Sequence, residues 1–196
     1  MTEQESWGSR EFLNMAGVFQ AAMVVVSLVA AAVIGIDVWD RVALTPQALL
    51  WGVIGTIPLC LASWGMDRIP WEPFTRMSQV LTNVLGPAVR DCTWIELVTL
   101  SLLVGVSEEL LFRGVLQVGL LPWGWWPAMI ATSVAFGLAH AMTPTYAVCA
   151  GLIGAYLSFV MEATSPPNLL IPILCHAGVD LYAFVQLKRE QLRIVE

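Results

Sequence analysis

Charge is what this chain has least of: 12% of its 196 residues are Asp, Glu, Lys or Arg, while 58% are apolar. A soluble domain averages about 25% charged and 45–50% apolar residues, so the composition is that of an integral membrane protein rather than a soluble globule. Basic and aromatic residues do not interleave on any amphipathic face, which argues against nucleic acid as a partner. Cys60, Cys92, Cys149 and Cys175 have no CxxC or metal-type spacing. Each lies in or beside an apolar run, where cysteine behaves as a small hydrophobe, so neither a disulfide nor a metal site is expected. The opening residues, MTEQESWGSREF, lack the cationic start of a cleaved leader, and the first apolar segment is therefore expected to be retained. There is no HExxH motif, no internal repeat and no linker long enough to separate independent domains.

Apolar runs are what the chain has in abundance. They cover about 15–36, 47–65, 94–121, 128–142, 146–160 and 169–187. Crossing a hydrocarbon core of about 30 Å takes about 20 helical residues, and the six runs are read on that basis as membrane segments. Between 70 and 92 the pattern changes: Phe74, Met77, Leu81, Val84 and Leu85 recur at helical spacing among polar residues, as in a helix lying on a membrane surface. The turn PWGWWP, 122–127, ends the third run with interfacial tryptophans. The expected fold is all-α: a polytopic transmembrane helix bundle of about six spans with an interfacial amphipathic helix. Residues 1–92 are expected to form an N-terminal transmembrane hairpin plus a cytoplasmic interfacial helix, and 93–188 a catalytic core.

The third run contains SEELLFRGVLQ, 107–117, with three ionisable residues inside a hydrophobic segment. At membrane depth each costs about 2.5–3.5 kcal/mol to insert, so such groups mark functional or pairing sites. Glu109 and Arg113 are four apart, stacked on one helical face with the acid N-terminal to the base. Glu108 is rotated about 100° away and has no cation at that spacing. It is the acid left over for chemistry. Two more four-residue pairs interrupt the later runs: Phe136 with His140, and His176 with Asp180. Counted at about 1.5 Å per residue from one end of their segments, Glu108, His140 and Asp180 come to about 19, 21 and 18 Å, and His176 to about 12 Å. A leftover acid, an Asp and both histidines of the chain thus converge on one layer.

The order Glu-Glu-x-x-x-Arg, Phe-x-x-x-His, His-x-x-x-Asn/Asp, present as Glu108, Glu109 and Arg113, Phe136 and His140, His176 and Asp180, resembles the CPBP family. That family comprises the type II CAAX prenyl endopeptidases and related bacteriocin-processing and immunity proteins. The resemblance covers about 94–187 and implies an intramembrane glutamic endopeptidase that needs no cofactor and no metal. Glu108 would be the general base and, with His140, would activate a water. His176 and Asp180 match positions that stabilise the oxyanion, and Glu109, Arg113 and Phe136 would support the site. The eukaryotic enzymes have Asn where Asp180 stands; an ionised Asp would oppose an oxyanion, whereas a protonated one could donate to it. The implied partners are the lipid bilayer and a membrane-associated or lipidated peptide, in a multi-pass protein of a bacterial cell membrane. Two other readings are a zinc-dependent membrane protease using His140, His176 and an acid, and a non-catalytic immunity or scaffold protein that binds a peptide in the same cavity.

Arg10, Arg68, Arg76, Arg90, Lys188, Arg189 and Arg193 lie on the side of the termini in the six-span reading, against Arg41 on the other. The positive-inside rule then puts both termini in the cytoplasm. A cysteine introduced after Lys188 is accordingly expected to resist membrane-impermeant thiol reagents in intact cells and to react after lysis; labelling in intact cells would invert the topology.

Overall fold

The structure, a computed structural model, describes residues 8–195. The polar stretch 1–7, on which much of the argument against a cleaved leader rests, lies outside them. The described chain is helical, without a strand, and its long helices are α1 (Ser9–Ile34), α2 (Pro46–Met66), α3 (Glu72–Arg90), α4 (Trp94–Glu109), α5 (Trp125–Ala139), α6 (Pro144–Met161) and α7 (Leu170–Val195). The boundaries follow local chemistry. Thr45 and Thr143 accept hydrogen bonds from the backbone N–H groups of Ala48 and Tyr146, each followed by a proline at the first helical position. Thr93 and Glu96 form a reciprocal capping box at the start of α4. Gly35, with φ 75°, ends α1 in the left-handed conformation that glycine adopts without strain.

The count of six spans is not reproduced as six long helices. Four among the described residues are long and apolar enough to cross a membrane: α1, α2, α6 and α7. Helix α5 is apolar but has only 15 residues. It stops short because the backbone N–H of His140 turns to Gly137 O rather than to Phe136 O. The third run stays helical from Trp94 to Trp123 but changes form: α4 passes into a π-helical segment, Leu110–Gln117, followed by short turns. Six of the eight π residues are buried, including Arg113 and Gln117. A 3.6-residue turn would rotate part of so continuous a stretch toward lipid; the wider turn keeps it on the interior, and π segments recur at functional sites.

Helix α7 runs through the centre, packing on α2, α3, α4 and α6, while α5 pairs with α6, and α1 lies along α4 and the π segment. Apolar side chains cover the outside: Val18, Val33 and Ile95 are 72%, 80% and 79% exposed, the surface expected of a protein whose solvent on that side is lipid. Between lipid-bathed helices the hydrophobic effect gives little, so close backbone approach carries the packing. A Cβ on Gly105 of α4 would lie 2.9 Å from Ile173 O and 3.1 Å from Ala177 N on α7. One on Gly137 would strike Ala147 O, with Gly151 N at 3.1 Å. Asn168 staples the start of α7 to the α1–α2 connection, its Oδ1 accepting from Ala43 N and its Nδ2 donating to Ala43 O. The amphipathic α3 buries Met77 and Val89 and packs chiefly on α7. The four cysteines are free thiols.

Gly137→Ala is expected to destabilise the protein by about 1–3 kcal/mol, because the obstructing atoms are backbone and cannot rotate away. Gly17→Ala, whose Cβ would meet nothing within 4 Å, is the control and should unfold like the parent. Thermal unfolding in detergent compares them; equal midpoints would show that the α5–α6 contact does not depend on that glycine.

Candidate active site

The two adjacent glutamates at the end of α4 have opposite environments. Glu109 is fully buried and its Oε1 accepts twice, from Arg113 Nη1 at 2.9 Å and from His176 Nδ1 at 2.8 Å. Arg113, also fully buried, extends its Nη2 to the carbonyl oxygen of Gly154 on α6 at 2.8 Å. The i,i+4 pair expected from the sequence is therefore present, and it ties together α4, the π segment, α6 and α7. Phe136 of α5 lies against it, with the Arg113 guanidinium 4.7 Å from its ring centroid. A planar cation over an aromatic face is stabilising, the more so away from water.

Glu108 lies at the edge of this buried cluster. Its Oε2 is buried, has no hydrogen-bond partner among the described residues, and faces two imidazoles: His140 Nε2 at 3.4 Å and His176 Nε2 at 3.9 Å. Both rings are held from behind. His140 follows the last residue of α5, and its Nδ1 lies 2.8 Å from the Phe136 carbonyl oxygen that the helix end leaves open. A carbonyl only accepts, so this Nδ1 carries a proton, and Nε2 is left to face Glu108. His176 Nδ1 is committed to Glu109 in the same way, since a carboxylate paired with Arg113 is an acceptor. Phe136 stacks on His140 with centroids 4.4 Å apart and meets His176 edge-on at 5.6 Å.

Asp180 is one turn further along α7, with Oδ2 3.6 Å from His176 Nε2 and its side chain 25% exposed. The structure thus brings together all seven residues selected from the sequence. No group of three or more His, Cys, Asp or Glu residues among those described is arranged to hold a metal ion. A groove of about 400 Å³ opens beside Glu108 and His140 toward the lipid-facing exterior. Phe19, Met23 and Val26 of α1 form one wall, and Leu111 and Phe112 of the π segment the other.

The model of the type II CAAX prenyl endopeptidase Rce1-like family matches residues 90–182. This segment is similar to that family. The match implies a protease, and the matched segment contains Glu108, Glu109, Arg113, Phe136, His140, His176 and Asp180. No curated protein and no solved structure matches the chain significantly. Helices α1 and α2 lie outside the Rce1-like segment, so the α1 wall of the groove is supplied from beyond it.

Sequence reasoning placed Glu109 as a structural partner of Arg113 alone and missed its bond to His176. It also missed the Gly154 carbonyl and the buried Gln117, whose Oε1 accepts from Ser158 Oγ at 2.7 Å. Gln117 stands in the same polar-interrupted run, and a buried amide at membrane depth was a usable signal. A backbone carbonyl leaves none.

Arg113→Ala is expected to lower yield and thermal stability by about 3–5 kcal/mol, because it strands the Glu109 carboxylate where no water reaches it. Paired Arg113→Ala/Glu109→Ala should recover part of that loss. Unfolding midpoints of the single and double variants decide; a double variant no better than the single would show that the stranded charge is not the cause.

Proposed function

We propose that the chain is an intramembrane glutamic endopeptidase, with residues 93–188 as its catalytic core and Glu108 as general base. The observation that carries this reading is Glu108 Oε2, buried and unpartnered among the described residues, facing two imidazole nitrogens at 3.4 and 3.9 Å. A base must accept a proton from water within hydrogen-bond reach, and an acceptor already engaged by donors cannot. Glu108 takes one proton of the water as its oxygen bonds to the scissile carbonyl carbon. The carbonyl π pair moves onto oxygen, giving a tetrahedral oxyanion. Collapse breaks the C–N bond, and the proton held on Glu108, relayed by His140, goes to the leaving amine. The products are a carboxylic acid and an amine, which exchange the remaining proton to become a carboxylate and an ammonium.

His176 and Asp180 are proposed as the oxyanion donors. With Nδ1–H given to Glu109, His176 donates from Nε2 when the ring carries both protons, and the surrounding carboxyl groups provide its countercharge. Asp180 donates when protonated. Phe136 and the Glu109–Arg113 pair act through the histidines, keeping both Nε2 atoms directed at Glu108. The apolar groove between α1 and the π segment fits the hydrophobic side chain or lipid of a membrane-associated or lipidated peptide. In this reading both termini are cytoplasmic and the membrane is that of a bacterial cell.

The test is cleavage of a fluorogenic lipidated peptide by the purified protein in detergent. Glu108→Gln is expected to lose about 10²–10⁴ in kcat/KM, the usual worth of a positioned proton acceptor. Asp180→Ala should lose about 10²–10³, the cost of one oxyanion donor. Asp180→Asn, whose amide donates at any pH, should keep activity and extend it to higher pH. An Asn variant as inactive as the Ala variant would show that the carboxylate itself is required. Full biological function in Glu108→Gln would remove the enzyme reading in favour of a peptide-binding immunity protein, and loss of cleavage on chelation, restored by zinc, would replace it with metal chemistry.

A further inference from the structure

A second cavity, of about 770 Å³, lies where the end of α2, the amphipathic α3 and the tail of α7 meet, away from the catalytic groove. Its wall carries three guanidinium groups, Arg68, Arg189 and Arg193, and two carboxyl groups, Asp67 and Glu190. No two of these five form a salt bridge with each other among the described residues. Several are positioned by other bonds instead. Arg68 lies 3.7 Å over the Trp64 ring and donates from Nη1 to Trp64 O. Glu190 accepts from Thr82 Oγ1 at 3.0 Å. Burial, and then the neighbouring Glu190, push the Asp67 carboxyl above its ordinary range while Arg68 pulls it down.

Depth identifies the kind of ligand. The cavity begins at Met66, where the α2 span ends. Trp64 and Trp71, 47% and 54% exposed, flank that point, and tryptophans of this kind sit at headgroup level. Ile69 and Phe74 continue the wall as apolar surface. Guanidinium groups match phosphate oxygens, and basic pockets between membrane helices receive lipid headgroups. Arginine alone would fit any phosphate. Carboxyl groups on the same wall would repel a purely anionic ligand and fit one that also carries an ammonium group.

We propose that this cavity binds phosphoethanolamine, its phosphate on Arg68, Arg189 and Arg193 and its ammonium on Asp67 and Glu190, as the headgroup of a membrane phospholipid or as the free ester. Neither the Rce1-like segment nor the proteolytic reading assigns it: Asp67 and Arg68 precede the segment, and Arg189, Glu190 and Arg193 follow it.

The full chain, stripped of lipid in detergent, is titrated by native mass spectrometry with phosphatidylethanolamine, phosphatidylglycerol and diacylglycerol. Phosphatidylethanolamine is expected to bind about tenfold more tightly than phosphatidylglycerol, and diacylglycerol to be weakest. Arg68→Ala/Arg189→Ala should weaken both phospholipids by about tenfold. Asp67→Asn/Glu190→Gln should erase the preference for phosphatidylethanolamine while leaving phosphatidylglycerol bound. Equal binding of the three lipids, or variants indistinguishable from the parent, would overturn the proposal. Soluble phosphoethanolamine separates the two sources: competition at equal concentration identifies the free ester, and failure to compete identifies the lipid. Loss of peptide cleavage in Glu108→Gln bears on neither outcome, so the two readings fail separately.

Discussion

A carboxylate and a guanidinium buried side by side in a hydrophobic bundle are the constraint on which the rest of this structure depends. Neither Glu109 nor Arg113 has any exposure, and moving either charge alone out of water costs more than any single contact returns. The pair is stable here because its hydrogen bonds reach outward as well as to each other. Glu109 also receives His176 of α7, and Arg113 also donates to Gly154 O of α6. The ion pair therefore fixes where two other helices must lie, which a hydrophobic contact, being non-directional, would not.

The same constraint separates the roles of two neighbouring glutamates. Glu109 Oε1 accepts from a cation and from an imidazole N–H, and in doing so sets the tautomer and direction of His176, while its Oε2 has no hydrogen-bond partner among the described residues. Glu108, one residue earlier, points toward the groove, where its Oε2 meets the imidazoles of α5 and α7. In the proposed mechanism, identical side chains become a positioning group and a reactive group through environment alone. His140 reaches the same point by different means: α5 ends one residue before it, and the opened Phe136 carbonyl holds its ring.

The Rce1-like segment supplies the polar centre, and the helices outside it supply the surroundings. Helix α1 closes one side of the groove and is tied to α4 by a buried hydrogen bond, Ser107 Oγ donating to Gln20 Oε1 at 2.6 Å. Helix α2 packs on α7 through Gly52 and Gly55, where a Cβ would lie 2.7 Å from the Leu174 side chain and 2.6 Å from Cys175 Sγ.

Local properties were legible in the sequence because they depend on composition and short spacing. The helical class, the apolar runs, the amphipathic stretch that became α3, the Glu109–Arg113 pair and the surplus of Glu108 follow from periods of 3.6 residues and the cost of charge in hydrocarbon. The seven site residues could be named because each sits in a four-residue pair or beside one, in segments otherwise without polarity. Other features depend on contacts between segments far apart in the chain. The π turn at Leu110–Gln117 has the same residue spacing as an α-helix on paper, and its packing against α1, α4 and α5 is a contact between segments. The end of α5 before His140, the bond from His176 to Glu109 and the Gly154 carbonyl beneath Arg113 are likewise tertiary. Carbonyl groups carry no residue identity, and a hydrogen bond spanning 67 positions leaves no periodicity to read.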